Sequence, residues 1–273
     1  MATLPTIQFG TTGHYVKLLQ LNLNGLGISY DKLLLNSIFD EQTLNITKRF
    51  QGRLGLPQKG IVDHITWKFL IESVKEIQKN LHLKRIYSAS IDGIFGPLTT
   101  QSVQKFQETQ NLYPSGDISP RTRLKLFNPH SQYDILPSSN NLNALNPYVE
   151  VLAKKLLDLT QTNGLDVRVT STFRSWDEQD RLFSQGRWQP GQIVTNARGG
   201  ESYHNWGVAF DVAPYKDNII TWDDTSTFIE IGYLGARLGL KWGGTFTSLV
   251  DYPHFEYSFS LSTWNLLTGI SFP

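Results

Sequence analysis

The stretch ESYHNWGVAFDV, Glu201–Val212, decides how the second half of this chain folds. Its histidine is followed three residues later by a glycine and seven residues later by an aspartate, with small and apolar residues between. After Gly207 the pattern alternates as a β-strand does, since successive strand side chains point to opposite faces. Val208, Phe210 and Val212 fall on one face, and Gly207, Ala209, Asp211 and Ala213 on the other. Asp211 thus stands among side chains too small to fill the space above it, which suits a ligand site better than a turn cap. His204 lies just before the turn, placed to fold over the same face.

A partner histidine follows in DYPHFEY, Asp251–Tyr257. Read as a strand, it points His254 and Glu256 one way and Phe255 and Tyr257 the other. The remaining histidines, His14, His64, His82 and His130, all precede this region, and the chain has no cysteine. A metal site here is therefore made of two imidazoles and a carboxylate: His204, Asp211 and His254. That set suits one Zn²⁺ ion with a coordination position left for water, the form of a catalytic site. Taken singly, each residue has an ordinary alternative, a surface histidine without metal or an aspartate capping a turn.

Around these motifs the pattern is mixed. PYVEVLAKKLLDLTQTNG reads as an amphipathic helix closed at Gly164. LDVRVTSTFRS alternates like a strand, WDEQDRLFSQG and TFIEIGYLGARLG read as helices, and DYPHFEYSF alternates toward the end. This predicts an α+β domain over 147–273 with a small antiparallel sheet.

The first half is a duplication. IFDEQTLNITKRFQGRLGLPQKGIVDHITWKFL from Ile38 and IFGPLTTQSVQKFQETQNLYPSGDISPRTRLKLF from Ile94 match at a constant offset of 56, among them Phe39/Phe95, Thr43/Thr99, Phe50/Phe106, Gln51/Gln107, Gly60/Gly116 and Thr66/Thr122. Each copy reads as a small all-α three-helix unit: a helix from Leu18 or Val74, a second capped by Thr43 or Thr99, and a short last one through Thr66–Leu70 or Thr122–Leu126. Units of ~55 to 70 residues are marginal alone and gain from packing on each other. The expected organisation is repeat 1 over 1–72, repeat 2 over 73–129, and an Asn-, Ser- and Pro-rich linker or arm over 130–146.

Composition narrows the function. A length of 273 residues, 40% of them hydrophobic and 18% charged, suits a multidomain globular protein. With a formal net charge of +1 and no Lys/Arg run, the field that draws a protein to nucleic acid is missing. No stretch approaches the ~18 apolar residues of a membrane span, so no membrane insertion is expected. The start, MATLPTIQFGTTGHYVKLLQ, lacks a basic segment followed by an apolar core, and so reads as lacking a Sec-type signal.

Two resemblances follow from these motifs. LQ, then DGIFGPLT, V-x-x-FQ and L-x-x-x-G, clearest in the second copy, resemble the peptidoglycan-binding repeat of wall hydrolases; the first copy departs with SIFDEQT from Ser37. S-x-H-x-x-G-x-A-x-D (Ser202–Asp211), D-x-P-H-F-E (Asp251–Glu256) and STFRSWDEQDRLF (Ser171–Phe183) resemble the zinc peptidases that include D-alanyl-D-alanine carboxypeptidases and phage L-alanyl-D-glutamate endopeptidases. The resemblance implies zinc on His204, Asp211 and His254, with Asp251 as general base and Arg174 as the cation facing the oxyanion or a substrate carboxylate. It further implies substrate or buttressing roles for Ser202 and Gln179, and an outer position for Glu256 against a ligand histidine. Trp206 is a candidate cleft wall, with the core as its alternative.

KWGGTF, from Lys241, resembles the endopeptidase branch. The expected protein is thus a monomeric, zinc-dependent peptidoglycan hydrolase of the endolysin type that reaches the cell wall through a holin, a secretion apparatus or another route. A D-alanyl-D-alanine carboxypeptidase and a non-catalytic wall-binding protein are the alternatives.

Overall fold

The structure is a computed structural model that describes residues 4–247 and 249–273. It divides into two compact units, Met1–His130 with Leu267–Gly269, and Ser131–Leu266 with Ile270–Pro273.

The first unit is helical: α1 (His14–Gly25), α2 (Glu41–Arg53), α3 (His64–Leu83), α4 (Pro97–Thr109) and α5 (Pro120–Phe127). The sequence expectation fails in two places. Thr43 and Thr99 are not caps: Asp40 caps α2 by accepting from the Thr43 N–H, and Gly96 precedes α4. Both threonines lie inside, where each hydroxyl accepts from a buried glutamine, Gln20 at 3.2 Å and Gln78 at 3.1 Å. Nor do the repeats have separate helices at their junction. The last helix of the first copy and the first of the second are one 20-residue helix, α3, which runs through residues 72 and 73.

The duplication is held by duplicated amides. Gln51 Nε2 donates to the Ile61 carbonyl (2.8 Å) while its Oε1 accepts from the Gly60 N–H (2.9 Å). Gln107 repeats this with the Asp117 carbonyl (2.9 Å) and the Gly116 N–H (2.9 Å). Each fully buried amide satisfies loop backbone groups that water cannot reach, which is what lets a polar side chain stay inside. Asn22 breaks the symmetry: it bonds Gly93 and Phe95 of the other copy at 3.0 and 2.9 Å, whereas its counterpart Asn80 bonds only its own helix at Glu76. The copies therefore share one core.

In the second unit α6 (Pro147–Thr162), capped by Asn146, leads through Gly164 into β1 (Val167–Ser171), and α7 (Trp176–Ser184) is capped by Ser175. Then come β2 (Ala209–Lys216), β3 (Ile219–Ile220), α8 (Thr225–Arg237), β4 (Lys241–Trp242) and β5 (His254–Glu256). The antiparallel sheet has the order β1-β2-β5-β4, with β3 paired to β2. Val208, Phe210 and Val212 are fully buried, as is Phe255, whose ring lies 5.8 Å from that of Phe210. α8 carries Gly235 against Phe255, where a Cβ would sit 2.3 Å from Cε1. The alternation read in DYPHFEYSF extends over only three residues, because Asp251 turns the chain by accepting from the His254 N–H at 3.2 Å. In this sheet Asp211 pairs with His254 on one side and Ser171 on the other.

Replacing Gln107 by Leu should strand the Gly116 N–H and the Asp117 carbonyl and cost about 1–3 kcal/mol. Urea unfolding is the check, with the exposed Gln101→Leu as a control expected to change little.

Candidate metal centre

His204 stands in a short 3-10 turn, Tyr203–Trp206, fixed at its start by a reciprocal box between Ser202 and Asn205. The turn ends at Gly207 in the left-handed region (φ 67°), a conformation that favours glycine, and the chain enters β2 directly. Asp211 then projects from β2 opposite His254 of β5. Thus a turn and a strand register converge three side chains.

The hydrogen bonds behind them set the tautomers. His204 Nδ1 lies 2.7 Å from the Thr172 carbonyl, which can only accept, so Nδ1 carries the proton and Nε2 is bare. His254 Nε2 lies 3.0 Å from Glu256 Oε2, which leaves Nδ1 bare. Those bare nitrogens face each other at 3.1 Å, with Asp211 Oδ1 at 3.0 Å from one and 3.3 Å from the other. Three lone-pair donors aimed at one point repel unless a cation stands among them. The donor set, with its ligand atoms within 4.8 Å of one another, fits a metal ion.

The titration directions express the same demand. Burial pushes His204 down, against the pull of Asp211. Burial also opposes charge on His254, but hydrogen bonds to Asp211 and Glu256 outweigh it and push its pKa up to about 9, so that without metal a proton takes the place of the cation. Asp211 is buried too, yet both histidines hold it well below the usual carboxylate range. Its Oδ2 accepts from Arg174 Nη2 at 3.0 Å.

The family model described as D-alanyl-D-alanine carboxypeptidase matches residues 195–257, which hold His204, Asp211 and His254. Over 121 residues the chain is 44% identical to the peptidoglycan L-alanyl-D-glutamate endopeptidase CwlK of Bacillus subtilis, covering 41% of this chain and 72% of that protein. The chain belongs to this peptidase family. A peptidoglycan binding domain model matches 12–70 and 72–126, the two copies of the duplication. The L-alanyl-D-glutamate peptidase of Listeria phage A118 is 28% identical over 44% of this chain and 40% of its own length. Among solved structures, the L-Ala D-Glu endopeptidase ChiX of Serratia marcescens aligns over 44% of this chain and 84% of that one, at 22% identity and a TM-score of 0.35.

Around His204, Asp211 and His254 the other candidate residues take distinct places. Asp251 is raised above the ordinary carboxylate range by burial first and by Asp211 second. Its backbone is held by its N–H on the Gly243 carbonyl (3.0 Å) and, next door, by the Trp242 indole on the Tyr252 carbonyl (2.7 Å). A Cβ on Gly243 would lie 2.4 Å from the Asp251 carbonyl oxygen, so the second strand–turn of KWGG leaves room for this carboxylate's backbone.

Arg174 spans Asp211 and Gln179. Gln179 is wholly buried and its Nε2 donates to Thr195 and the Ala197 carbonyl, so it buttresses Arg174 rather than facing solvent. Ser202 closes the turn before His204, its N–H donating to Asn205 Oδ1 (3.3 Å) and its carbonyl accepting from the Asn205 N–H (3.0 Å). Trp206 is core, not a cleft wall: it is 3% exposed, its indole donates to the Gly200 carbonyl at 3.0 Å, and it packs on Trp176. Glu256 lies outside that cluster of three, between His254 and Lys241, whose Nζ is 2.8 Å away.

Sequence reasoning missed Thr172, which acts through its main-chain carbonyl and so carries no side-chain signal. It also passed over Asn205, whose Nδ2 donates to the Arg174 carbonyl at 2.8 Å and ties the two site segments together. The S-x-x-N spacing of the box was its only trace.

A group whose folded pKa is raised contributes stability that is full below its unfolded pKa and lost as pH rises through the folded value. For metal-free His254 that window runs from 6.5 to about 9, where His204, pushed down, is already neutral. In chelator the urea midpoint should therefore fall between these pH values, and His254→Gln should flatten the fall.

Proposed function

We propose that this protein is a zinc-dependent peptidoglycan endopeptidase that cuts the stem peptide between L-alanine and D-glutamate. The observation that carries the reading is the convergence of two bare imidazole nitrogens and one carboxylate oxygen beside a second carboxylate, Asp251, whose pKa is raised by burial and then by Asp211. His204, Asp211 and His254 would hold the ion. Held there, zinc would supply a Lewis acid for the scissile carbonyl and would lower the pKa of water toward ~7.

The protein's own groups supply the proton traffic. Asp251, whose affinity for a proton is raised, takes one from the attacking water and returns it to the leaving amine of D-glutamate. Arg174, held by Gln179 and Asp211, presents a fixed positive charge to the oxygen that becomes negative. Glu256 accepts the Nε2 proton of His254 and so keeps Nδ1 turned toward the ion.

The duplicated helical unit supports attachment to the wall, which raises the local concentration of the peptidase on its polymer without any contact to the scissile bond. Among the described residues no helix is long and apolar enough to cross a membrane. The bond assignment draws support from the CwlK and phage relatives, both named for L-alanyl-D-glutamate cleavage.

Mass spectrometry of digested peptidoglycan tests the reading. Wild type should release stem peptides newly beginning at D-glutamate, and chelator should abolish them. Asp251→Asn should lower kcat by about 10²–10⁴-fold while keeping one zinc per chain. Release of D-alanine alone would assign the carboxypeptidase reaction instead, and binding to walls without any product would leave a wall-binding protein.

A further inference from the structure

Residues 131–146 have the composition of a connector, but they belong to the second unit and lie on the chain segment behind the metal centre. The Ser139 N–H donates to the Phe173 carbonyl (2.8 Å) and the Thr172 N–H returns to the Ser139 carbonyl (3.0 Å), closing a reciprocal pair. Thr172 Oγ1 is shared between the carbonyls of Ser139 (2.6 Å) and Asn141 (3.0 Å). Ser138 Oγ accepts from the Ser175 N–H at 2.9 Å, and the Asn146 N–H donates to the Gly207 carbonyl at 2.7 Å. Tyr133 rests its ring 5.0 Å from that of Trp206. These contacts bracket His204, on Thr172–Ser175 at one side and on Trp206–Gly207 at the other.

The pairing of β1 with β2 ends at Ser171 opposite Asp211, after an irregularity between Val169 and Ser171. The next peptide, whose carbonyl receives the Nδ1 proton of His204 at 2.7 Å, is thus beyond the ladder. The groups that flank it, the Thr172 N–H and the Phe173 carbonyl, are both tied to Ser139 instead. Thr172 is fully buried, so water does not compete for these groups.

We propose that Ser131–Asn146 is a positioning strap for the metal centre and that Thr172 is the positioning residue through which it acts. Clamped by its N–H and hydroxyl to Ser139 and Asn141, Thr172 holds its carbonyl where it fixes both the tautomer and the ring plane of His204. An outer partner of this kind is worth about 10–100-fold in metal affinity. This inference rests on the zinc reading above.

Zinc affinity of the full-length protein, measured by competition with a chelating dye, tests it alongside the melting temperature of the metal-free forms. Thr172→Val, which keeps the shape and loses the hydroxyl, should bind zinc at least about 10-fold more weakly. Thr172→Ser, which restores the hydroxyl, should recover most of that affinity. Equal zinc affinity in wild type and a folded Thr172→Val overturns the inference and leaves the metal reading intact. So does a loss that Thr172→Ser fails to recover, since that pattern belongs to packing by the methyl group. Where Thr172→Val has no cooperative melt, Ser138→Ala decides: weaker zinc binding supports the strap, and unchanged binding overturns it. Wild-type protein that binds no zinc overturns the metal reading and the strap together.

Discussion

Three lone pairs pointed at one place are a liability that a fold accepts only where a cation offsets it. The second unit is organised around that demand. A left-handed glycine delivers His204, a strand register sets Asp211 against His254, and acceptors behind each imidazole dictate which nitrogen is bare. Arg174 takes the far oxygen of Asp211 and Lys241 takes the far oxygen of Glu256, so each carboxylate's charge is divided between the centre and an outer cation. Asp251 has no ion pair with an outer cation among the described residues, and burial and Asp211 raise its proton affinity.

Much of this was legible in the sequence because it depends on side chains at a short, fixed period. The alternation after Gly207 placed Phe210 and Val212 opposite Asp211, and the structure buries that apolar face against Phe255 and α8. The same period paired His254 with Glu256, now joined by a hydrogen bond of 3.0 Å. The duplication was visible for a related reason: buried glutamines, threonines and glycines that satisfy a loop's backbone tolerate little change, so they recur in register.

What stayed hidden is carried by the main chain or by tertiary choice. Thr172 contributes a carbonyl, and a carbonyl is common to every residue. Trp206 fits a cleft wall or a core equally well until its neighbours are known, and Tyr133 and Trp176 supply the core. Thr43 looked like a cap because threonine caps helices, but Gln20 claims its hydroxyl and the nearby Asp40 takes the N–H. Low-complexity composition at 131–146 recorded the absence of periodicity, which an extended strap lacks as surely as a loose connector does.

The shared helix of the first unit has a mechanical meaning. A helix of 20 residues is a rod about 30 Å long, and both repeats are built onto it, one at each end. Asn22 adds a cross-brace between the copies. Two modules on a flexible tether sample many separations, whereas two on one rod have a single spacing and a single angular phase. Their joint grip on a polymer is then a matter of commensurability: the lattice either presents its ligands at the pitch of the rod, or only one module engages at a time.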